Sequence, residues 1–199
     1  GKVMTGEGFL ADRRLQLARG VLLQCVMGGY PEAQYYGSDD GDLVLRPLLD
    51  QVHVLPWIER PRAMAICEAV ELDGQLSGLS TRALLSRVVE RYAERGWAPV
   101  VATELEFFLF EKSFDEIRRS GFRDLATLSG YNEDYNIQMT SREEHVMRPV
   151  RNHLYAAGLP IENSKGEAET GQEELNIKYA PALDTAEYHT IAKHAVKEI

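Results

Sequence analysis

Four glutamates lie within eight residues of the segment KGEAETGQEELNIKY, which runs from Lys165 to Tyr179. They are Glu167, Glu169, Glu173 and Glu174. Like charges this close repel one another in water, so the spacing calls for an explanation. One explanation is a solvated acidic turn. The other is a site for a divalent metal, because Mg²⁺ and Mn²⁺ prefer carboxylate oxygens to thiol or imidazole ligands.

A second pair of acids, Glu104 and Glu106, lies in the apolar segment APVVATELEFFLFE (98–111). Side chains two residues apart on a strand point to the same face, so the two carboxylates are predicted to stand side by side. The apolar flanks predict an internal strand, where carboxylates are costly unless something neutralises them. The alternative is a half-exposed strand with a wet acidic face.

The spacing of Glu167 and Glu174 requires a turn between them. They are separated by an odd number of positions and cannot share one face of a continuous strand. Gly171 permits a turn that would bring both to one point. After Glu174 the sequence alternates, which places Glu174, Asn176 and Lys178 on one face of a predicted strand. An acidic hairpin tip without a ligand remains the alternative for this segment.

The remaining patterns predict a β-rich first third followed by mixed helices and strands. A mostly apolar strand is predicted at Gly20–Met27, with three short strands in LVLRP, QVHVLPW and RAMAICEAVEL. A helical apolar stripe predicts a helix over Ser80–Gly96, capped by Ser80 or Thr81, with a domain boundary just before it near Gly78.

Two further helices are predicted toward the end of the chain. The first covers Ser141–Gly158 with a capping box from Ser141 to Glu144, and Pro149 inside it predicts a kink or a late start. The second covers Asp184–Ile199 and opens on the capping-box-like pair Asp184 and Glu187. That helix has no stop signal, so the polypeptide is expected to be part of something longer.

The composition bounds the class of protein. The chain has 199 residues, enough for one large or two small domains, and 44% hydrophobic with 27% charged residues is typical of a globular protein. The net charge of -9 argues against nucleic acid and against an anionic membrane surface as partners. Two cysteines without a CxxC spacing and the lack of a long apolar run predict a cytoplasmic protein. The sequence contains no GxGxxG or GxxxxGK[ST] motif, so no Rossmann or P-loop cradle is predicted.

Two of these segments together resemble the glutamine synthetase family. They are ELEFFLF and, about sixty residues later, GEAETGQEELNIKYAPALDTAEYHTIAKHAVKEI. The match extends over most of 98–199, and the first third is a looser match to the small N-terminal β-grasp domain of the family. The resemblance implies an α+β fold: a β-grasp-like domain at 1–78, then the first part of a glutamine synthetase-type catalytic domain at 79–199.

The resemblance also implies roles for individual residues. Glu106, Glu167 and Glu174 would hold the first metal, Mg²⁺ or Mn²⁺, beside the substrate glutamate, and Glu104 would help to hold a second metal at the ATP phosphates. Glu162 and Tyr179 would lie in the nucleotide site. Tyr135 would lie at the amine pocket, an assignment that rests on spacing.

The activity implied is ATP-dependent joining of an amine to the γ-carboxylate of glutamate through a γ-glutamyl phosphate. The family's D-G-S-S stretch, which serves the ammonium site, has no counterpart in the N-terminal third, and this favours a small amine or polyamine over ammonia. The chain ends before the family's remaining metal ligands and arginines, so the polypeptide alone is expected to be inactive. A homo-oligomeric ring is expected for the full-length protein. The alternative is a non-catalytic, truncated binding or assembly module that keeps the fold.

Overall fold

The computed structural model describes residues 2–11, 15–24, 29–30 and 41–199. The chain divides into two compact units, one comprising Gly1–Val52 and Met64–Trp97 and the other His53–Ala63 and Ala98–Ile199. Helices and strands are mixed along the chain, and the strands form two small sheets with antiparallel pairing rather than one parallel βαβ sheet, so the fold is α+β as predicted. The boundary predicted at residue 78 stays a prediction.

The first unit is built on a three-stranded sheet. Its strands are β1 (Leu15–Leu17), β2 (Leu43–Val54) and β3 (Ala63–Val70), in the order β1-β2-β3. A short helix α1 (Gly6–Leu10) precedes the sheet, and helix α2 (Thr81–Ala93) follows it. Glu68 of β3 accepts ion pairs from Arg46 of β2 at 2.7 Å and from Arg82 of α2 at 3.0 Å, which ties the helix to the sheet.

Two strand predictions in the first unit are wrong. The start of the strand predicted at Gly20–Met27 is instead part of a 3-10 helix, Arg19–Leu23, consistent with the low strand propensity of Gly20; residues 25–28 lie outside the described residues. LVLRP and the first four residues of QVHVLPW belong to the single strand β2, which ends at Val54. Pro47 lies beyond Leu43–Leu45, the part of β2 that pairs with β1, so its missing N–H removes no bond to β1.

The second unit is built on a sheet of β4 (Val100–Phe108), β5 (Ile161–Gly166) and β6 (Gln172–Pro181), in the antiparallel order β4-β6-β5. Its helices are α3 (Phe114–Arg119), α4 (Ile137–Ala156) and α5 (Ala182–Ala195). Helix α4 packs against β5, and α5 packs against β4 and β6. Leu105, Leu175 and Ile177 are buried and face these helices.

The opposite side of this sheet carries acids and is called here the open face. By strand alternation it takes Glu104 and Glu106 from β4 and Glu174 from β6. Within the described residues β4 is an edge strand, so the prediction of an internal strand is wrong, and Glu104 and Glu106 are exposed. Their carboxylates therefore carry little burial cost by themselves.

Both predicted capping boxes in the second unit are wrong. Helix α4 begins earlier than predicted, because Asn136 caps it by accepting from the Met139 N–H at 3.3 Å. The late start predicted from Pro149 does not occur, and the helix continues through that proline. Helix α5 begins after Pro181 with no side-chain cap, and the Thr185 hydroxyl anchors it by donating to the Val101 carbonyl at 3.0 Å.

The predicted start of α2 is confirmed: the Ser80 side chain accepts from the Ala83 N–H at 3.3 Å. In the part of the chain that the structure describes, none of the helices combines the length and the apolar character that a membrane span requires.

Candidate metal centre

Three carboxylates converge on the open face. Oxygens of Glu104, Glu106 and Glu174 all lie within 4.8 Å of one another. The register explains this, because Glu106 is the direct cross-strand partner of Glu174 and Glu104 lies opposite Asn176. The prediction that Glu104 and Glu106 share a face is confirmed.

Amide side chains fix two of these carboxylates. Gln172 donates to Glu106 Oε2 at 2.6 Å. Asn176 donates to Glu174 Oε1 at 2.7 Å and to Asn163 Oδ1 at 2.8 Å, so the carboxylate of Glu174 is held between two strands. These bonds orient the oxygens and leave acceptor capacity toward the space between the strands.

Lys165 connects Glu167 to this cluster. It lies directly opposite Glu174 in the sheet, with its ammonium 3.3 Å from Glu174 Oε2, and it also donates to Glu167 Oε1. Asp134 lies 3.9 Å from the same ammonium. The turn predicted at Gly171 exists, with φ +69, and it brings Glu167 and Glu174 to one lysine.

The pKa values of Glu167 and Glu174 are shifted in opposite directions. The pKa of Glu167 is lowered to about 2 by its hydrogen bond with Glu174 and then by the ammonium of Lys165. Burial, and then the contact with Glu167, raise the pKa of Glu174. The bond to Glu167 raises the pKa of Lys165. Glu167 is therefore the ionised partner, and Glu174 is the carboxyl that retains a proton more readily.

Tyr135 lies beside this group in an uncommon backbone conformation. Its φ is +54, which is unfavourable for a bulky side chain, and it immediately precedes the Asn136 cap of α4. The ring is 76% exposed, and the Lys165 ammonium lies 4.8 Å from its centroid. The structure thus places Tyr135 next to the predicted metal ligands.

Glu162 and Tyr179 lie at the other end of the β5–β6 pair. Both are exposed, and they flank the pairing of Ile161 with Ile177, whereas Lys165 and Glu174 pair near the opposite end. The structure does not bring them to the carboxylate cluster. Their roles toward a nucleotide stay predictions, as do the metal roles of the four glutamates.

A second cluster of acids was not predicted and is called here the buried triad. It consists of Glu133, Glu143 and Glu173, whose oxygens also lie within 4.8 Å of one another. The three residues are 0%, 2% and 0% exposed. Burial, and then the neighbouring Glu143 carboxyl, raise the pKa of Glu173 to about 8. The alternation of β6 puts Glu173 on the face of Leu175 and Ile177, a signal that could have identified it as buried.

The open-face residues fit the metals that the sequence implies. The donors are carboxylate oxygens, which hard cations such as Mg²⁺ and Mn²⁺ prefer. Their mutual distances allow one ion to touch several of them. Glu167, the strongest anion, is adjacent through Lys165.

Fold and site together define an α+β domain with three carboxylates that converge on one face of its sheet. The sequence model of the glutamine synthetase catalytic domain matches residues 78–199. The chain therefore belongs to the glutamine synthetase family.

Relatives and a solved structure agree with this assignment. The chain is 36% identical over 159 residues to gamma-glutamylethanolamide synthetase of Streptomyces coelicolor, covering 80% of this chain and 34% of that protein. It is 29% identical over 208 residues to glutamate–isopropylamine ligase of Pseudomonas sp, covering 100% and 44%. A solved GmaS structure titled as an ADP complex matches with a TM-score of 0.74 at 20% identity, over 96% of this chain and 40% of that one, which supports the fold. The chain thus spans less than half the length of these relatives.

Proposed function

We propose that the protein containing this chain is an ATP-dependent ligase that joins ammonia or a small amine to the γ-carboxylate of glutamate. The observation that carries the proposal is the convergence of Glu104, Glu106 and Glu174 on the open face, within the region matched by the glutamine synthetase catalytic domain. The family match does not favour the alternative, a non-catalytic binding module.

In this proposal Glu106, Glu167 and Glu174 hold a first Mg²⁺ or Mn²⁺, and Glu104 contributes to a second. Such ions would neutralise charge on the phosphate oxygens, which is the main requirement of phosphoryl transfer. The residues around them preorganise the ligands: Gln172 fixes Glu106, and Asn176 fixes Glu174. Lys165 contacts both Glu167 and Glu174 and occupies their charge until an ion binds.

The substrate positions are proposed from the family resemblance. Tyr135 is assigned to the amine pocket, and the contact of its exposed side chain with Lys165, next to the proposed ligands, supports this assignment. Glu162 and Tyr179 are assigned to the ATP site, at the far end of the β5–β6 pair. One relative is named for a γ-glutamylethanolamide product and the other for isopropylamine as the joined amine, and both names favour an organic amine over ammonia. Assembly as a homo-oligomeric ring and a cytoplasmic location belong to the same proposal.

The test is glutamate-dependent ADP release by the protein that contains this chain, with Mn²⁺ or Mg²⁺ and with ammonium, putrescine, spermine or ethanolamine. We expect turnover with an organic amine and its loss in Glu106→Gln and Glu174→Gln. Glu169→Gln is the matched control, since Glu169 is an exposed acid of the same turn outside both clusters. Full activity of Glu106→Gln would remove the metal assignment, and lack of turnover with every amine would favour the binding module.

A further inference from the structure

The backbone around the buried triad is shaped to bring its members together. Gly166 is the cross-strand partner of Glu173, and a Cβ on Gly166 would lie 2.5 Å from Glu133 Cβ. The absent side chain is therefore what lets the Glu133 loop sit over β5 and reach Glu173. Glu143 approaches from helix α4, which packs against the same strand. Three separate elements thus direct carboxylates to one enclosed point.

The carboxylates of the buried triad lack the hydrogen bonds that burial demands. Glu133 Oε1 accepts from the Gly171 N–H at 2.7 Å. The other oxygens are buried and have no hydrogen-bond partner among the described residues: Glu133 Oε2, both oxygens of Glu143 and both of Glu173. Native proteins satisfy nearly all buried polar groups, and a buried unpaired carboxylate costs several kcal/mol. The Glu143 carboxyl contacts those of Glu133 and Glu173, so either shared protons or a bound cation must neutralise these oxygens.

No side-chain cation within the described residues makes an ion pair with the triad. Arg151 is close enough for its charge to act on Glu173. Its guanidinium, however, donates to Ser164 Oγ at 2.7 Å and to Glu144 Oε2 at 2.7 Å. The triad therefore differs from the open face, where Lys165 supplies a contacting positive charge.

We propose that the buried triad binds one hard divalent cation of the Ca²⁺ or Mn²⁺ class, at a site distinct from the open-face cluster. Such ions take carboxylate oxygens as ligands, and the triad oxygens are close enough together for one ion to contact all three residues. Mg²⁺ fits less well, because it retains several waters and the three residues are fully enclosed.

A cation at this point would also be connected, through Glu133, to the turn that carries Glu167, a ligand of the proposed metal site. The Glu133 N–H donates to the Glu167 carbonyl at 3.2 Å, and Glu133 Oε1 binds the Gly171 N–H at the other end of the turn. Fixing Glu133 therefore fixes both ends of the segment 167–171. The role of the buried ion is structural. By fixing Glu133 it fixes the backbone of the turn that positions Glu167 beside the open face.

The test counts Mn²⁺ ions bound per chain by equilibrium dialysis and metal analysis, in the protein that contains this chain. Glu143→Gln keeps the shape of the side chain, removes one charge and leaves the open face untouched. We expect it to bind one Mn²⁺ fewer than the wild type, and the exposed control Glu169→Gln to bind the full number. Glu106→Gln should lose open-face Mn²⁺ and retain the triad ion.

A Glu143→Gln variant that binds as many ions as the wild type overturns the proposal and means that protons neutralise the triad. If the variant does not fold, anomalous diffraction from wild-type crystals grown with Mn²⁺ decides the question. A peak between the three carboxylates supports the site, and no peak there beside an occupied open face refutes it. An ion count in Glu106→Gln equal to that of the wild type would contradict the metal site of the proposed function. It would not contradict the cation site at the buried triad.

Discussion

Two adjacent glutamates of β6 meet opposite environments. Glu174 faces the open side, where Asn176 and Lys165 contact its oxygens. Glu173 faces the helices, where both of its oxygens have no hydrogen-bond partner among the described residues. Because successive strand residues point to opposite faces, one Glu-Glu pair supplies a carboxylate to each cluster. A substitution at either position therefore tests one cluster, although the residues share a peptide bond.

In the proposed function, the Lys165 ammonium competes with a metal ion for the carboxylates of Glu167 and Glu174. The ammonium already neutralises part of the charge of Glu167 and Glu174. We expect Lys165→Met to tighten Mn²⁺ binding there by at least roughly tenfold, since a positive charge a few ångströms from a divalent ion costs on the order of 1–2 kcal/mol even at the dielectric of bulk water. Isothermal titration with Mn²⁺ measures this change directly.

Lys165→Arg is the control, because it keeps the charge and should change the dissociation constant by less than about threefold. Weaker Mn²⁺ binding in Lys165→Met would mean that the lysine acts mainly by orienting Glu167 and Glu174. That result would contradict the competition argument while leaving the ligand assignment intact.

The sequence identified the open-face acids because their signal is local. Glu104 and Glu106 follow the two-residue period of a strand, and Gly171 marks the turn that brings Glu167 and Glu174 to one lysine. The pairing of β4 with β6, which brings Glu174 to Glu106, is not visible in either segment alone. The buried triad has no such signal, since Glu133, Glu143 and Glu173 come from a loop, a helix and a strand. Their convergence depends on the packing of α4 against β5, which no single-segment pattern contains.

At the scale of elements, Gly166 allows strand β5 and the Glu133 loop to approach each other. A Cβ on Gly166 would meet Glu133 Cβ at 2.5 Å and the Glu133 carbonyl oxygen at 2.7 Å. We expect Gly166→Ala to lower the free energy of unfolding by about 1–3 kcal/mol, the usual cost of overpacking, and to reduce Mn²⁺ binding at the triad. Urea unfolding and dialysis check the two effects.

Gly130→Ala is the matched control for this substitution. A Cβ there meets no heavy atom within 4 Å, so the added methyl group should change the free energy of unfolding little. Equal destabilisation by the two variants would show that the contact with Glu133 does not require the glycine.

The junction of α4 and β5 gives a prediction about pH. Hydrogen bonds from Arg151, aided by Arg148, lower the pKa of Glu144, and Arg151 also donates to Ser164 on β5. Because the folded-state pKa is lowered, the ionised Glu144 carboxylate contributes to folding stability. This contribution is fully present above the ordinary pKa of the carboxyl and is lost as pH falls through the lowered value. We expect Glu144→Gln to remove about 1 kcal/mol of stability at neutral pH.

The same variant should be less sensitive to acid than the wild type. Unfolding curves at several pH values between about 6 and 3 measure the difference in the free energy of unfolding between the wild type and the variant. This difference should shrink toward zero as the Glu144 carboxyl of the wild type becomes protonated. Glu169→Gln, an exposed acid with no ion pair among the described residues, provides the reference. A constant difference across this range would exclude Glu144 ionisation as its cause.

Helix starts show why elements were predicted better than their boundaries. The segment 141–158 was assigned as helix, but Ser141 was chosen as its cap although Asn136 occupies that position. Both are good capping residues, so the choice depends on where the preceding loop turns. That turn is made by Tyr135 with φ +54, a conformation that propensity does not predict for tyrosine.

At the scale of the whole molecule, both carboxylate clusters belong to the second compact unit. Metal binding should therefore stabilise this unit by mass action, by about 2.7 kcal/mol per site at a free ion concentration 100 times the dissociation constant. The unit has just over 100 residues, for which this stabilisation corresponds to a rise in melting temperature of roughly 10–20 °C per site.

We expect EDTA to lower the melting temperature of the second unit and Mn²⁺ to restore it, as followed by calorimetry. Glu143→Gln should show only the part of the Mn²⁺ shift that the open face supplies, and Glu106→Gln mainly the part supplied by the triad. The sum of these two single-site shifts should be smaller than the shift of the wild type. The reason is that Glu133 and Glu167 are joined by a backbone hydrogen bond, so an ion at either site orders the turn that the other ion requires. Strictly additive shifts would show that the two faces of β6 bind their ions independently, and would remove the structural role proposed for the buried ion.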